Sequence, residues 1–398
     1  MNNVLPKLRF SHFNNKWSKR AFYSLVSRVS ETTDLVDLPR VEFEDIVSGL
    51  GALNKDINNK KSDKKGIKFN SEDILFGKLR PYLKNWLFAD FQGIAIGDFW
   101  VLRPNDTDGY FIYALIQGPK YQRVANLSTG TKMPRSDWKT VSETKFSVPL
   151  HIEEQQKIGK FFKQLDDRIT LQQSHVEQLK QSKQGFLQKM FPKDGESVPE
   201  VRFDNFHDKW IEHRLSDGMT EYTDRVIIEN HKKYNQVSVK NIGEITLRGE
   251  KKGSEIGRKR QSKVNLKDFP VTLIFTRQTI EQGGIGFAPI ETDGAIVTEN
   301  MPTISINTKI FDKEYLRIFF KTEVFRKKVI LPNIQGGTAQ IAIHEDNIIS
   351  STVPFPHICE QQKIGEFFKK LDDLIAKNER ELELLQETKK GFLQKMFV

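Results

Sequence analysis

Residues 153–191 and 359–397 are two copies of one segment. The first reads EEQQKIGKFFKQLDDRITLQQSHVEQLKQSKQGFLQKMF, the second CEQQKIGEFFKKLDDLIAKNERELELLQETKKGFLQKMF, and they align without a gap at a spacing of 206 residues. Of the 39 positions, 23 are identical, which chance does not produce. A repeat with so long a period is a duplicated domain and not a solenoid unit of about 20–50 residues. A shorter pair opens each half: Pro6–Trp17 and Pro199–Trp210 both fit P-x-x-R-F-x-x-F-x-x-K-W. Between opener and long segment lie residues 18–147 and 211–352, which resemble each other only faintly. One framework therefore holds two different inserts.

The repeated segments read as helices. Apolar residues recur in steps of four and three at Ile158, Phe162, Leu165, Ile169, Val176, Leu179, Phe186 and Met190. The second copy repeats the stripe at Ile364, Phe368, Leu371, Ile375, Leu382, Leu385, Phe392 and Met396. That 3.5-residue period is the seam of a coiled coil, and each helix should be roughly 58 Å long at ~1.5 Å per residue. Polar residues interrupt both seams at the same two places, Gln172 with Asn378 and Lys183 with Lys389. Such breaks set register at some cost in stability. Antiparallel packing would bring Gln172 and Asn378 together at mid-length. The matching Gly-Phe-Leu-Gln-Lys-Met-Phe runs are expected to leave apolar side chains exposed, either for docking partner subunits or for closing the two halves together. Two ordinary amphipathic helices, each buried on its own domain, is the competing reading.

With 398 residues the chain suits two domains plus connectors. Lys and Arg exceed Asp and Glu by 62 to 52, a net charge of +10, which fits a polyanionic partner such as nucleic acid. A single cysteine, Cys359, permits no internal disulfide and fits a reducing cytoplasm. The N-terminus lacks the apolar core of a signal peptide, and no stretch approaches the ~18 apolar residues of a membrane helix.

Both inserts read as mixed strand and helix, so the fold class is α+β. Strands are expected at 73–81, 93–104, 271–276 and 302–306, with helices near 110–125 and 313–329. Basic residues crowd the expected loops: Lys60, Lys61, Lys64 and Lys65 in one, and Arg248, Lys251, Lys252, Arg258, Lys259 and Arg260 in the other. Lys and Arg there would neutralise phosphates, although a charge run is also what a solvated loop looks like. Lys78 and Arg80 close one expected strand, and Arg277 and Gln278 close another. Gly-Thr turns carrying Thr131, Lys132 and Arg135 in the first insert, and Thr338 and Gln340 in the second, precede a Val-Pro pair leading into each long helix. Arg suits guanine and Gln suits adenine through paired hydrogen bonds. Lys132 or Arg135 would thus act on one half of a target and Arg277 or Gln340 on the other. A plain structural turn remains the alternative.

Motifs for chemistry are missing. No Asn/Asp-Pro-Pro-aromatic run suits adenine methylation, no G-x-x-x-x-G-K-[ST] loop suits ATP, and no H-E-x-x-H or Cys-based zinc spacing occurs. Gly283–Gly286 is too short a glycine pattern to mean a dinucleotide site. Two other classes stay open: a self-contained methyltransferase or nuclease with a coiled-coil dimerisation arm, and a structural adaptor that binds no DNA.

The paired E-Q-Q-K-I-G…F-F…L-D-D…G-F-L-Q-K-M-F segments, the P-x-x-R-F…W openers and the Gly-Thr turns resemble the specificity subunits of type I restriction–modification systems. The resemblance implies two target-recognition domains (1–150 and 193–356), each reading half of a bipartite, asymmetric DNA site. It implies two long helices (151–192 and 357–398) packed as an antiparallel coiled coil with internal pseudo-twofold symmetry. It implies two methylation subunits using S-adenosylmethionine on adenine N6, and restriction subunits using ATP and Mg²⁺, with no cofactor, metal or catalytic residue on this chain. Helix positions Phe162, Leu165, Ile169, Gln172, Leu179, Phe186, Phe368, Leu371, Ile375, Asn378, Leu385 and Phe392 would form helix–helix or subunit contacts.

Overall fold

A computed structural model describes residues 5–35, 37–57, 64–127, 132–193, 195–334 and 342–397. The chain folds as two compact units, Met1–Glu177 with Lys377–Val398, and Gln178–Ala376. Each unit is α+β. The long helices, Ile152–Lys189 and Ile358–Met396, are divided between the units and do not form segments of their own. Among the described residues no helix is long and apolar enough to cross a membrane.

In the first unit the central strand is Ile74–Gly77, buried along its whole length because its apolar run is unbroken. It belongs to an antiparallel sheet ordered Val26–Val29, Phe99–Pro104, Ile74–Gly77, Trp86–Phe88. A second sheet is ordered Thr32–Thr33, Gly66–Phe69, Gly93–Ala95, Arg40–Val41, its last pair parallel. Ser18–Ala21 pairs with Lys145–Val148. The second unit repeats the scheme. Thr272–Phe275 is the fully buried strand of the sheet Met219–Tyr222, Thr303–Ile306, Thr272–Phe275, Ile285–Phe287. Ile211–Arg214 pairs with Thr352–Phe355. Its other sheet, ordered Asp224–Ile227, Arg260–Lys263, Ile296–Val297, Lys233–Val239, Ile245–Lys252, has one more strand than its counterpart. The stretch 248–263, expected as loop, is thus largely strand. Its residues are exposed at every position from Arg248 to Lys252, so the alternation that marks a half-buried strand is missing there.

The openers explain the start that the two long helices share. Arg9 grips Glu154 with two hydrogen bonds of 2.6 and 2.8 Å, and Trp17 Nε1 donates to the same carboxylate at 3.2 Å. Arg202 grips Glu360 at 2.7 Å twice. Both glutamates are essentially inaccessible, at 1% and 0% exposure, so the arginine fork is what permits their burial. The next residue docks the insert. Gln155 accepts from Asp108 N at 3.1 Å and donates to the Pro149 carbonyl at 3.0 Å. Gln361 makes the same two bonds, to Asp312 N at 2.9 Å and the Pro356 carbonyl at 3.0 Å. Asp108 and Asp312 cap the helices Gly109–Gln117 and Lys313–Phe319. Those helix starts press against Gly159 and Gly365.

Within each unit the two long-helix portions run antiparallel. In the first, Phe161 meets Phe392 edge-to-face with ring centres 4.8 Å apart. Gln172 Nε2 donates to Asn378 Oδ1 at 2.9 Å, so the polar seam pair does meet. In the second, Phe186 meets Phe367 the same way at 5.1 Å. The expectation of exposed apolar helix ends is corrected: Met190 and Met396 are buried, and Phe186 and Phe392 pack on the Phe-Phe pair that begins the other long helix. The Gly-Phe-Leu-Gln-Lys-Met-Phe run is alike in both copies because it meets the same partner twice. The seam lysines are also paired, Lys389 with Asp166 and with Gln117 Oε1 at 2.6 Å, and Lys183 with Asp372.

Two outcomes follow from this packing. A methyl group at Gly159 would collide with the Asp108 carboxylate and approach Phe111 N to 2.8 Å; at Gly365 it would approach Tyr315 N to 2.7 Å. Gly159→Ala and Gly365→Ala should each lower stability by about 1–3 kcal/mol in denaturant melts. The Lys389–Asp166 side chains are 9% and 17% exposed, against 23% and 39% for Lys183–Asp372. Lys389→Ala, which strands a buried carboxylate, should cost roughly 3 kcal/mol. Lys183→Ala should cost about 1 kcal/mol, and equal losses would contradict the difference in burial.

Candidate nucleic-acid interface

The first unit gathers cations where the loop after its central strand meets the turn before Lys145–Val148. An isolated antiparallel bridge joins Leu79 to Arg135. Ser136 N donates to the Lys78 carbonyl, and Arg80 N to the Pro134 carbonyl, each at 2.8 Å. Two cations here share one carboxylate: Lys78 lies 3.6 Å from Asp98, and Arg135 donates to it at 3.0 Å. Arg80 adopts left-handed φ of 48° and keeps its Nε buried without a partner among the described residues. Lys132 is exposed two residues before Pro134. With Lys78, Arg80, Lys132 and Arg135 set against Asp98, the junction carries excess positive charge, the character of a phosphate-binding surface. Elsewhere in this unit Lys64 pairs with Glu42 at 2.8 Å and Lys65 lies 3.6 Å from Asp34, both lysines exposed. Lys60, Lys61 and Thr131 lie outside the described residues, as do Thr338 and Gln340.

The second unit builds the same backbone junction, but its arginine is paired with a carboxylate. Ile343 N donates to the Arg277 carbonyl at 2.9 Å and Arg277 N to the Asn300 carbonyl at 3.0 Å, matching Ser136, Lys78 and Asp98. The Arg277 guanidinium is occupied, with Nε and one Nη on the two Glu345 oxygens at 2.7 and 2.5 Å. Burial alone would push the Glu345 carboxyl up, but the hydrogen bonds and charge of Arg277 hold it below its ordinary range. Glu221 is raised by burial and then by the charges of Glu345 and Asp346. The base-reading role expected of Arg277 therefore meets a guanidinium already committed to a carboxylate. Gln278 beside it is exposed. The basic run expected in this unit lies on and beside the sheet with the extra strand. Arg248, Lys251, Lys252 and Arg260 are exposed and have no side-chain partner among the described residues. Arg258 pairs with Glu299, and Lys259 is tied to Asn230 Oδ1 at 2.8 Å and the Gly253 carbonyl at 2.6 Å.

Residues 43–181 and 210–387 match the family model described as the type I restriction modification DNA specificity domain. The chain belongs to this family of type I DNA-specificity subunits. It is 24% identical over 297 residues to the type I restriction enzyme MjaVIII specificity subunit of Methanocaldococcus jannaschii, covering 72% of this chain and 68% of the relative. To the putative MjaX specificity subunit of the same organism it is 21% identical over 304 residues, covering 74% and 68%. In fold it is similar to the S subunit of a type I restriction–modification system from M. genitalium, with TM-score 0.60, 15% identity and 99% of both chains covered. A chain from a structure of type I R-M complex assembly and conformational transition gives TM-score 0.55 at 16% identity, covering 95% of this chain and 96% of the other. The self-contained methyltransferase or nuclease is not favoured.

Several residues of this specificity subunit escape sequence reading. Asp98 and Glu345 set the charge of the two junctions, yet each is a single acidic residue far in sequence from its cation. Arg9, Glu154, Arg202 and Glu360 did carry a signal, since all four sit at matched positions of the repeats. Among the described residues no group of three or more His, Cys, Asp or Glu is placed to hold a metal ion.

Arg277→Ala should destabilise the second unit by about 1–3 kcal/mol, because Glu345 is left desolvated and unpaired. The lowered Glu345 value also sets a pH sign: its contribution is complete above its ordinary value of about 4.5 and is lost as pH falls through the depressed one. Denaturant melts from pH 7 to pH 3 should show this loss in the parent and not in the variant.

Proposed function

We propose that each unit of this specificity subunit reads one half of a bipartite, asymmetric DNA site, and that the chain performs no catalysis itself. The observation that carries the reading is the twofold use of one framework, Arg9–Glu154–Gln155 and Arg202–Glu360–Gln361, around inserts whose charged surfaces differ. Equal frameworks offer equal docking surfaces to two methylation subunits, while unequal inserts demand unequal half-sites. The long helices act as an antiparallel coiled coil with pseudo-twofold symmetry. S-adenosylmethionine belongs to the methylation subunits, ATP and Mg²⁺ to restriction subunits, and the assembly works on cytoplasmic DNA. Methylation of a base within the duplex requires that it be flipped out, so the complex must distort or encircle the DNA.

Exchange of insert 18–147 for that of a relative with another target tests the proposal. Methylated adenines mapped for the assembled complex should show one half-site changed and the other retained. A change in both halves, or in neither, contradicts the two-reader assignment.

A further inference from the structure

The strand Ile245–Lys252 is the edge of its sheet and the element by which the second unit's sheet exceeds the first's. It forms a two-stranded ribbon with Lys233–Val239, and the ribbon changes character along its length. Val237, Ile245 and Leu247 pack into an apolar cluster at one end. From Arg248 to Lys252 every residue is exposed, although a strand alternates faces and one face would ordinarily be covered. The change falls at a bulge. Gln236 pairs with Gly249 and Val237 with Leu247, which leaves Arg248 unpaired and extra. Gly249 takes φ of 111°, open to glycine and strained for other residues, with nothing within 4 Å of where a Cβ would stand. Bulges of this kind re-aim a side chain.

Building on the two-reader assignment, we propose that this ribbon enters the major groove and that Arg248 reads a guanine there, with Lys251 and Lys252 on flanking phosphates. Three observations converge on it. A two-stranded ribbon matches a groove about 12 Å wide, and an arginine fork matches the O6 and N7 acceptors of guanine. Arg248 makes no side-chain hydrogen bond or ion pair among the described residues, so its fork is free, whereas Arg277, Arg258 and Lys259 of the same unit are engaged. At the strand–turn junction that gathers cations in the first unit, Arg277 of the second unit is held by Glu345, and the free guanidinium of Arg248 lies on a different surface. The competing account is protection of an exposed strand edge, for which lysines and a bulge are also suited.

The test uses the full chain assembled with its methylation subunits. Methylated adenines are mapped for the parent, Arg248→Ala, Arg248→Lys and Lys251→Ala/Lys252→Ala, alongside competition binding to duplexes altered at one base pair. Both Arg248 variants should keep the site but lose discrimination at one G·C pair, by roughly 5- to 150-fold, in the half that exchange of insert 18–147 leaves unchanged. The double lysine variant should bind all duplexes less tightly and depend less on salt. An unchanged preference in Arg248→Ala overturns the proposal, as does an equal loss on all duplexes. If Arg248→Ala aggregates while Arg248→Lys stays soluble with full discrimination, edge protection replaces it. Failure of the two-reader assignment looks different, because the parent complex would then show no bipartite motif.

Discussion

Glu154 and Glu360 are carboxylates removed from water, and an arginine from the preceding opener reaches each with two charge-assisted hydrogen bonds that offset the cost of its burial. Around this contact the rest of each unit is organised. The opener is drawn onto the long helix, the adjacent glutamine holds the N-terminus of the insert's helix, and a glycine one turn later lets that helix come close. Loss of the arginine would strand a buried charge, so the whole constellation is retained or lost together. This explains why opener and E-Q-Q segment recur together while the inserts between them diverge.

The shared framework does not impose a shared electrostatic surface. At the same strand–turn junction one unit places Lys78 and Arg135 about a single aspartate, while the other closes Arg277 on Glu345. One additional edge strand gives the second unit its own basic surface. The two units thereby present different charged surfaces on equal scaffolds, which is what the proposed asymmetric target would require. The long-helix contacts show the converse. Gly-Phe-Leu-Gln-Lys-Met-Phe stays constant because Phe186 and Phe392 face equivalent phenylalanines, and Lys183 and Lys389 face equivalent aspartates.

The duplication, the helix pair and the meeting of Gln172 with Asn378 were legible in the sequence because they rest on local periodicity and identity at a fixed offset, which chain order preserves. The buried strands Ile74–Gly77 and Thr272–Phe275 were legible as unbroken apolar runs. Tertiary structure alone decided which cations are free. Arg277 and Arg248 are equally basic as letters, but Glu345 lies 68 residues from one, and a bulge isolates the other. Charge compensation and exposure depend on neighbours brought together by folding, and no local pattern encodes them.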